Sequence, residues 1–173
     1  MARNVIGYVP RIGESEEAYV ERMRATVLPN FPANVLTHWL YKHREHALYS
    51  ELSYDTLVFE DEPQTWATEE IPVENCGAYE AIEGYSRWYE ANAGKWECDP
   101  LCEYMGQHGT WPQPIILIDN RGGVVKKARA GTKVGRPYHP LEGHRRLGFF
   151  LALKSLCALQ PTHRVWLVTK RKE

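Results

Sequence analysis

The sequence predicts an α/β (or α+β) fold, a small mixed sheet preceded by a helical N-terminal half. Three observations lead there. Ile115-Ile116-Leu117-Ile118 and Val165-Trp166-Leu167-Val168 are unbroken apolar runs, as expected of strands covered on both faces. Between them, from about Gly143 to Leu159, Leu147, Phe150, Leu151 and Cys157 recur along one side of a helix, with Lys154 interrupting. Upstream of residue 110, helical periodicity dominates and extended runs are short.

Each element has its own signal. Asn4 to Val9 reads as a short strand stopped by Pro10. Ser15-Glu16-Glu17-Ala18 reads as a helix start: a Ser cap, then acids beside the positive end of the peptide dipole. That helix should reach about Leu28, before Pro29. A second helix is expected from about Ala33 to Leu52, where Val35, Leu36, Trp39, Leu40, Ala47 and Leu48 keep helical spacing. Tyr54 to Glu60 reads as a strand centred on Leu57, Val58 and Phe59. Residues 61–76 are acidic and turn-rich. A third helix spans Ala78 to Asn92 and ends at Gly94; Cys98 to Gly109 is irregular, or a short helix from Pro100. After the strand at Ile115, Asp119 to Gly123 is a turn. Val124 to Pro140 is basic and glycine-containing, with a weak strand at Val124-Val125. The expected division is a helical region, residues 1–105, packing on a C-terminal region, 106–173; one single compact domain is the alternative.

Composition narrows the class. The 173 residues are 43% hydrophobic and 25% charged, with 6 Trp and 10 Tyr, so a packed core is expected and disorder is not. No run approaches about 18 apolar residues, so no membrane partner is expected. With no apolar leader after Met1, the expected location is cytoplasmic, with Cys76, Cys98, Cys102 and Cys157 as reduced thiols. Zinc is not expected at Cys98, Cys102 and His108, whose spacing matches no strong pattern. His38, His43 and His46 read as a solvated polar face. Most tryptophans read as core; Trp111 is set apart because it lies beside the motif described next.

Charge is divided along the chain. Residues 1–120 carry 8 Lys/Arg against 20 Asp/Glu, and residues 121–173 carry 13 against 2. The basic third calls for an anionic partner or for the acidic part of its own chain. A nucleotide needs few of these charges. Nucleic acid is the less favoured partner, because it would meet the acidic surface. The acidic half suits a protein partner.

The residues that carry chemistry are Glu142-Gly143-His144-Arg145-Arg146. A helix start exposes main-chain N–H groups and the positive end of its dipole, and Gly143 lets an anion approach them. Arg145 and Arg146 offer planar donor forks for phosphate, and His144 a further hydrogen bond. Neighbouring helical side chains diverge by about 100°, so one arginine at most should face a given phosphate. Arg136, His139 and Lys133 are expected to close over it from the loop. Gly131-Thr132-Lys133 does not fit the phosphate-loop pattern. Glu142 is the candidate general base, with Glu142 and Asp119 the candidate Mg²⁺ ligands. The competing role for Glu142 is to cap the helix and pair with an arginine.

These residues, with Pro112-Gln113-Pro114-Ile115-Ile116-Leu117-Ile118 before and Val165-Trp166-Leu167-Val168 after, resemble the ParB/sulfiredoxin-like superfamily, whose Gly-x-x-Arg core opens a helix. The resemblance covers about residues 111–169. It implies a nucleotide such as ATP with Mg²⁺, catalytic roles for Glu142 and His144, and a phosphotransferase or NTP hydrolase. A DNA nuclease is one alternative. The other is a non-catalytic interaction or regulatory module with a vestigial nucleotide site. His144 stands where sulfiredoxins carry cysteine, so sulfinic acid repair by that nucleophile is not expected. No helix-turn-helix follows, so centromere-type partitioning is not expected either.

Overall fold

The computed structural model describes residues 5–43, 53–95, 99–126 and 133–171. The chain divides into two units, Met1–Asp61 with Thr169–Glu173, and Glu62–Val168. This division falls at Asp61/Glu62, away from the expected boundary near residue 105. The third helix packs on the last one, so it belongs with the C-terminal sheet.

In the first unit, Val5–Tyr8 is a 3₁₀ turn where a strand was expected. Tyr19 donates its hydroxyl to the Tyr8 carbonyl at 2.8 Å, which ties the turn to the following helix. That helix, α1 (Glu16–Thr26), starts as its sequence dictates, with Ser15 Oγ accepting from the Ala18 N–H at 3.3 Å. Arg22 on α1 reaches back to Glu14 at 2.6 Å and also donates to the carbonyls of Gly7 and Val9. The second helix is α2 (Ala33–Val35), continued by π-helical turns over Leu36–Tyr41; its expected continuation over 44–52 lies outside the described residues. Its apolar side holds Leu36, Trp39 and Leu40 fully buried with Tyr19 and Met23 of α1. The strand expected at 54–60 shrinks to a 3₁₀ turn, Tyr54–Thr56, and β1 (Leu57–Val58). Trp39 packs edge-on against Tyr54, with ring centroids 5.5 Å apart.

The second unit carries β2 (Gln64–Ala67), α3 (Tyr79–Asn92), α4 (Pro100–His108), β3 (Ile115–Asp119), β4 (Tyr138–Glu142), α5 (His144–Ser155) and β5 (Thr162–Lys170). The sheet is mixed. β5 runs parallel to β3, with Ile115 opposite Val165 and Ile118 opposite Val168. β4 pairs antiparallel with β3, and β2 antiparallel with β5. The last two residues of β5 lie in the first unit, where Lys170 and Thr169 pair with Leu57 and Val58 of β1. The fold class is thus a mixed α/β one, as the apolar runs require.

Two strands had no legible signal. β4 contains Pro140, which has no N–H to give a central ladder; it is tolerated because β4 lies at the edge, bonded to β3 alone. β2 sits in the acidic, turn-rich stretch, where Trp66 is its one buried residue. Val124-Val125 is not a strand: the Val125 N–H bonds to the Asn120 side chain instead. The core gathers Leu147, Phe149, Phe150 and Leu153 of α5 with Ile82 and Tyr89 of α3 and the inner faces of β3 and β5. Trp111 is part of it, buried with its ring N–H donated to the Arg164 carbonyl at 2.7 Å. It is core like most of the others; Trp96 lies outside the described residues.

Cys102 is disulfide-bonded, which corrects the expectation of four reduced thiols; Cys76 and Cys157 are free. Cys98 and His46 lie outside the described residues.

Candidate functional site: the opening turn of the last helix

β4 ends at Glu142, opposite Ile116, and α5 begins two residues later. The change of direction falls on Gly143, at φ 101° and ψ 18°. A Cβ there would sit 2.6 Å from Ile115 Cγ2, so both the left-handed backbone and the contact with β3 require glycine. No side chain caps α5 at this point. Gly143 at the N-cap has no side chain to play the part of Ser or Asp, and the first turn carries the positive end of a 12-residue helix. His144 is half-buried at the first helical position.

The two arginines diverge. Arg146 is 8% exposed and its donors are committed internally. Its Nη1 donates to the carbonyls of Gln113 at 2.5 Å and Pro114 at 3.1 Å, and its Nη2 pairs with Glu142. Burial lowers its pKa to about 10, still charged at neutral pH. Arg146 is a strut joining the entry of β3 to the end of β4. Arg145 turns toward α3 and α4. It pairs with Asp99, and its guanidinium carbon lies 5.4 Å from the Trp88 ring centroid and 5.2 Å from that of Phe149. Asp99 also caps α4 by accepting from the Cys102 N–H at 2.9 Å. Asp99 and Trp88 were not legible as partners, since they are 46 and 57 positions away by number.

Glu142 pairs with Arg146, one helical turn on, which is the second part of the competing role foreseen for it. Asp119 lies at the other end of β3, opposite Tyr138. Three residues of strand separate it from Ile116, the partner of Glu142, a span of about 10 Å at ~3.3 Å per residue. The two carboxylates do not face one cation, so the residues expected to hold Mg²⁺ do not fit it as a pair. Asp119 is instead bonded to Arg121 through Nε at 3.0 Å, and this pairing holds its carboxyl below the usual range. Among the described residues no three His, Cys, Asp or Glu side chains cluster as a metal site.

The loop residues lie at that far end too. Lys133 and Arg136 are exposed and precede β4, whose length of about 13 Å at ~3.3 Å per residue separates Tyr138 from Glu142. They do not close over the turn at Gly143. His139 is 1% exposed on β4, where its Nδ1 accepts from the Gly135 N–H at 3.2 Å. Burial lowers its pKa to about 4, so it is a neutral core histidine. His163 is another that sequence reading passed over. It is buried between Thr110 and Thr68, at 2.9 and 3.1 Å from its two ring nitrogens.

No protein-family model, curated protein or solved structure matches the chain. No helix among the described residues is long and apolar enough to cross a membrane. Elsewhere, the first unit has an open cleft of about 680 Å³ lined by Glu16, Glu17, Val20, Glu21, Arg24 and Pro29, among others.

Proposed function

We propose that the first turn of α5 binds the phosphate of a nucleotide, through its main-chain N–H groups and His144. One observation carries this reading: a 12-residue helix opens on a left-handed glycine with no capping side chain. The positive end of such a helix favours an anion at its first turn. Glu142 and Arg146 hold the turn in place rather than touch the ligand. Turnover is not part of the reading, because Glu142 is tied to Arg146 and Asp119 stands at the other end of β3. The nuclease alternative meets the same lack of gathered carboxylates among the described residues.

The test uses thermal unfolding with ATP, CTP, GTP and ADP, with and without Mg²⁺. A nucleotide at about 100 times its dissociation constant stabilises by roughly 2.7 kcal/mol. His144→Glu places a negative charge where the dipole favours it, so the fold should survive while phosphate is repelled. Loss of the nucleotide shift in that variant supports the site. No shift with any nucleotide, or a shift that survives His144→Glu, overturns it.

A second reading, a basic protein partner on the first unit, is favoured by the cleft on α1. Glu16, Glu17 and Glu21 rim it, and Val20, Ala25, Pro29 and Ala33 add apolar surface. The corresponding check is whether a Lys/Leu amphipathic peptide binds the chain and loses affinity in Glu17→Gln/Glu21→Gln.

A further inference from the structure

Residues 121–139 carry six Lys/Arg and no Asp/Glu. The described parts of the loop are two arms, residues 121–126 and 133–137, and one buried side chain anchors both. Asn120 is 0% exposed. Its Oδ1 accepts from the Val125 N–H at 2.8 Å, and its Nδ2 donates to the Gly135 carbonyl at 2.8 Å. Its own N–H donates to the Pro137 carbonyl at 2.7 Å, and its carbonyl accepts from the Gly123 N–H at 3.0 Å. The return arm is held further by Arg136 N–H to the Asn75 carbonyl at 3.0 Å, and by Ala78 N–H to the Lys133 carbonyl at 3.2 Å.

On these fixed arms Lys126, Lys133 and Arg136 are exposed, and none of them forms an ion pair among the described residues. Asp119, next to the loop in sequence, is paired with Arg121. Hydrogen bonds hold the described arms, and these three cations are exposed on them. Like charges gathered in this way create a local positive potential that favours a polyanion.

We propose that this anchored basic edge binds the phosphate backbone of a nucleic-acid strand. The site is separate from the turn at Gly143 and does not depend on it. Cations from two arms suit successive phosphates of a strand. Tyr138, half-buried and edge-on to Trp66 at 5.0 Å, follows the return arm directly in sequence. An anionic membrane is the weaker match, since surface binding needs large apolar side chains to insert. The arms offer only valines, of which Val125 is buried and Val124 and Val134 are half-buried.

The experiment is fluorescence anisotropy of labelled 20-nucleotide single-stranded DNA and RNA, and of duplex DNA, with the full chain. Salt is varied from about 50 to 200 mM. Each phosphate neutralised on a single strand contributes about −0.7 to the slope of log K against log salt. Three contacts give a slope of about −2 or steeper. Lys126→Gln/Lys133→Gln/Arg136→Gln should make the slope shallower by about 2 and weaken binding at least roughly tenfold at low salt, with an unchanged melting temperature. The charge-conserving triple variant, Lys126→Arg/Lys133→Arg/Arg136→Lys, should restore both. Three results overturn the proposal: no binding up to about 100 µM protein at about 50 mM salt; an unchanged affinity and slope in the glutamine variant; or binding to phosphatidylserine vesicles without binding to any oligonucleotide.

Discussion

Arg146 shows how a residue chosen for one chemistry serves another. It is a cation next to a helix start, which suits phosphate, yet its fork is filled by two carbonyls and Glu142. Arg146→Met should therefore destabilise the protein by about 3 kcal/mol in urea denaturation, because three acceptors lose their donor. Glu142→Gln should cost about 1 kcal/mol or less, since an amide oxygen can still accept. Equal stability of Arg146→Met and the wild type would refute the strut. His139 gives a pH dependence with a definite sign. Its pKa falls from 6.5 to about 4 on folding, so the unfolded chain binds the proton more readily. Stability from this group is complete above about pH 6.5, declines as pH falls toward 4, and levels off below. The loss should reach at most about 3 kcal/mol, and His139→Gln should flatten that part of the stability–pH curve, with His163 contributing in the same direction. The place of the motif was legible in the sequence, and so was the divergence of adjacent helical side chains. Their partners were not, because Asp99, Gln113 and Pro114 are brought in by the tertiary fold.

Among the elements, those with local instructions were read correctly. Ser15 and the acids after it start α1, and four consecutive apolar residues make β3; the helix α4, from Pro100, is one of the two readings the sequence left open there. Those that depend on a neighbour were not. The 3₁₀ turn at Val5–Tyr8 is tied to α1 through Tyr19, and β4 is a strand because β3 offers it an edge. The pairing of α3 with α5 is of the second kind. Gly148 in α5 lies so close to α3 that a Cβ would meet Tyr85 Cβ at 2.3 Å and the Ile82 carbonyl oxygen at 2.6 Å. Alanine is the better helix former by about 1 kcal/mol, but the helices would have to separate to admit it. Gly148→Ala should lower stability by about 2 kcal/mol or more, seen as a lower urea midpoint with an unchanged m value. A neutral or stabilising result would mean that the helices are not in this contact.

For the molecule as a whole, composition foretold a packed mixed fold but not its division. The change of character at Trp111 suggested a boundary near 105, whereas α3, from the acidic half, covers α5 and moves the boundary to Asp61/Glu62. The charge asymmetry was visible from the start, and the structure divides the basic third into places of different use. Arg145 and Arg146 are held internally, while Lys126, Lys133 and Arg136 face solvent at the other end of β4. The two proposed anion sites are therefore distinguishable by position in one experiment. ATP is titrated into ¹⁵N-labelled protein while main-chain amide shifts are followed. The account predicts that Gly143, His144 and Arg145 move most and saturate together, with smaller changes at Lys126, Lys133 and Arg136. Amides at 143–145 that stay in place while ATP binds elsewhere, or no movement at any concentration, would contradict it.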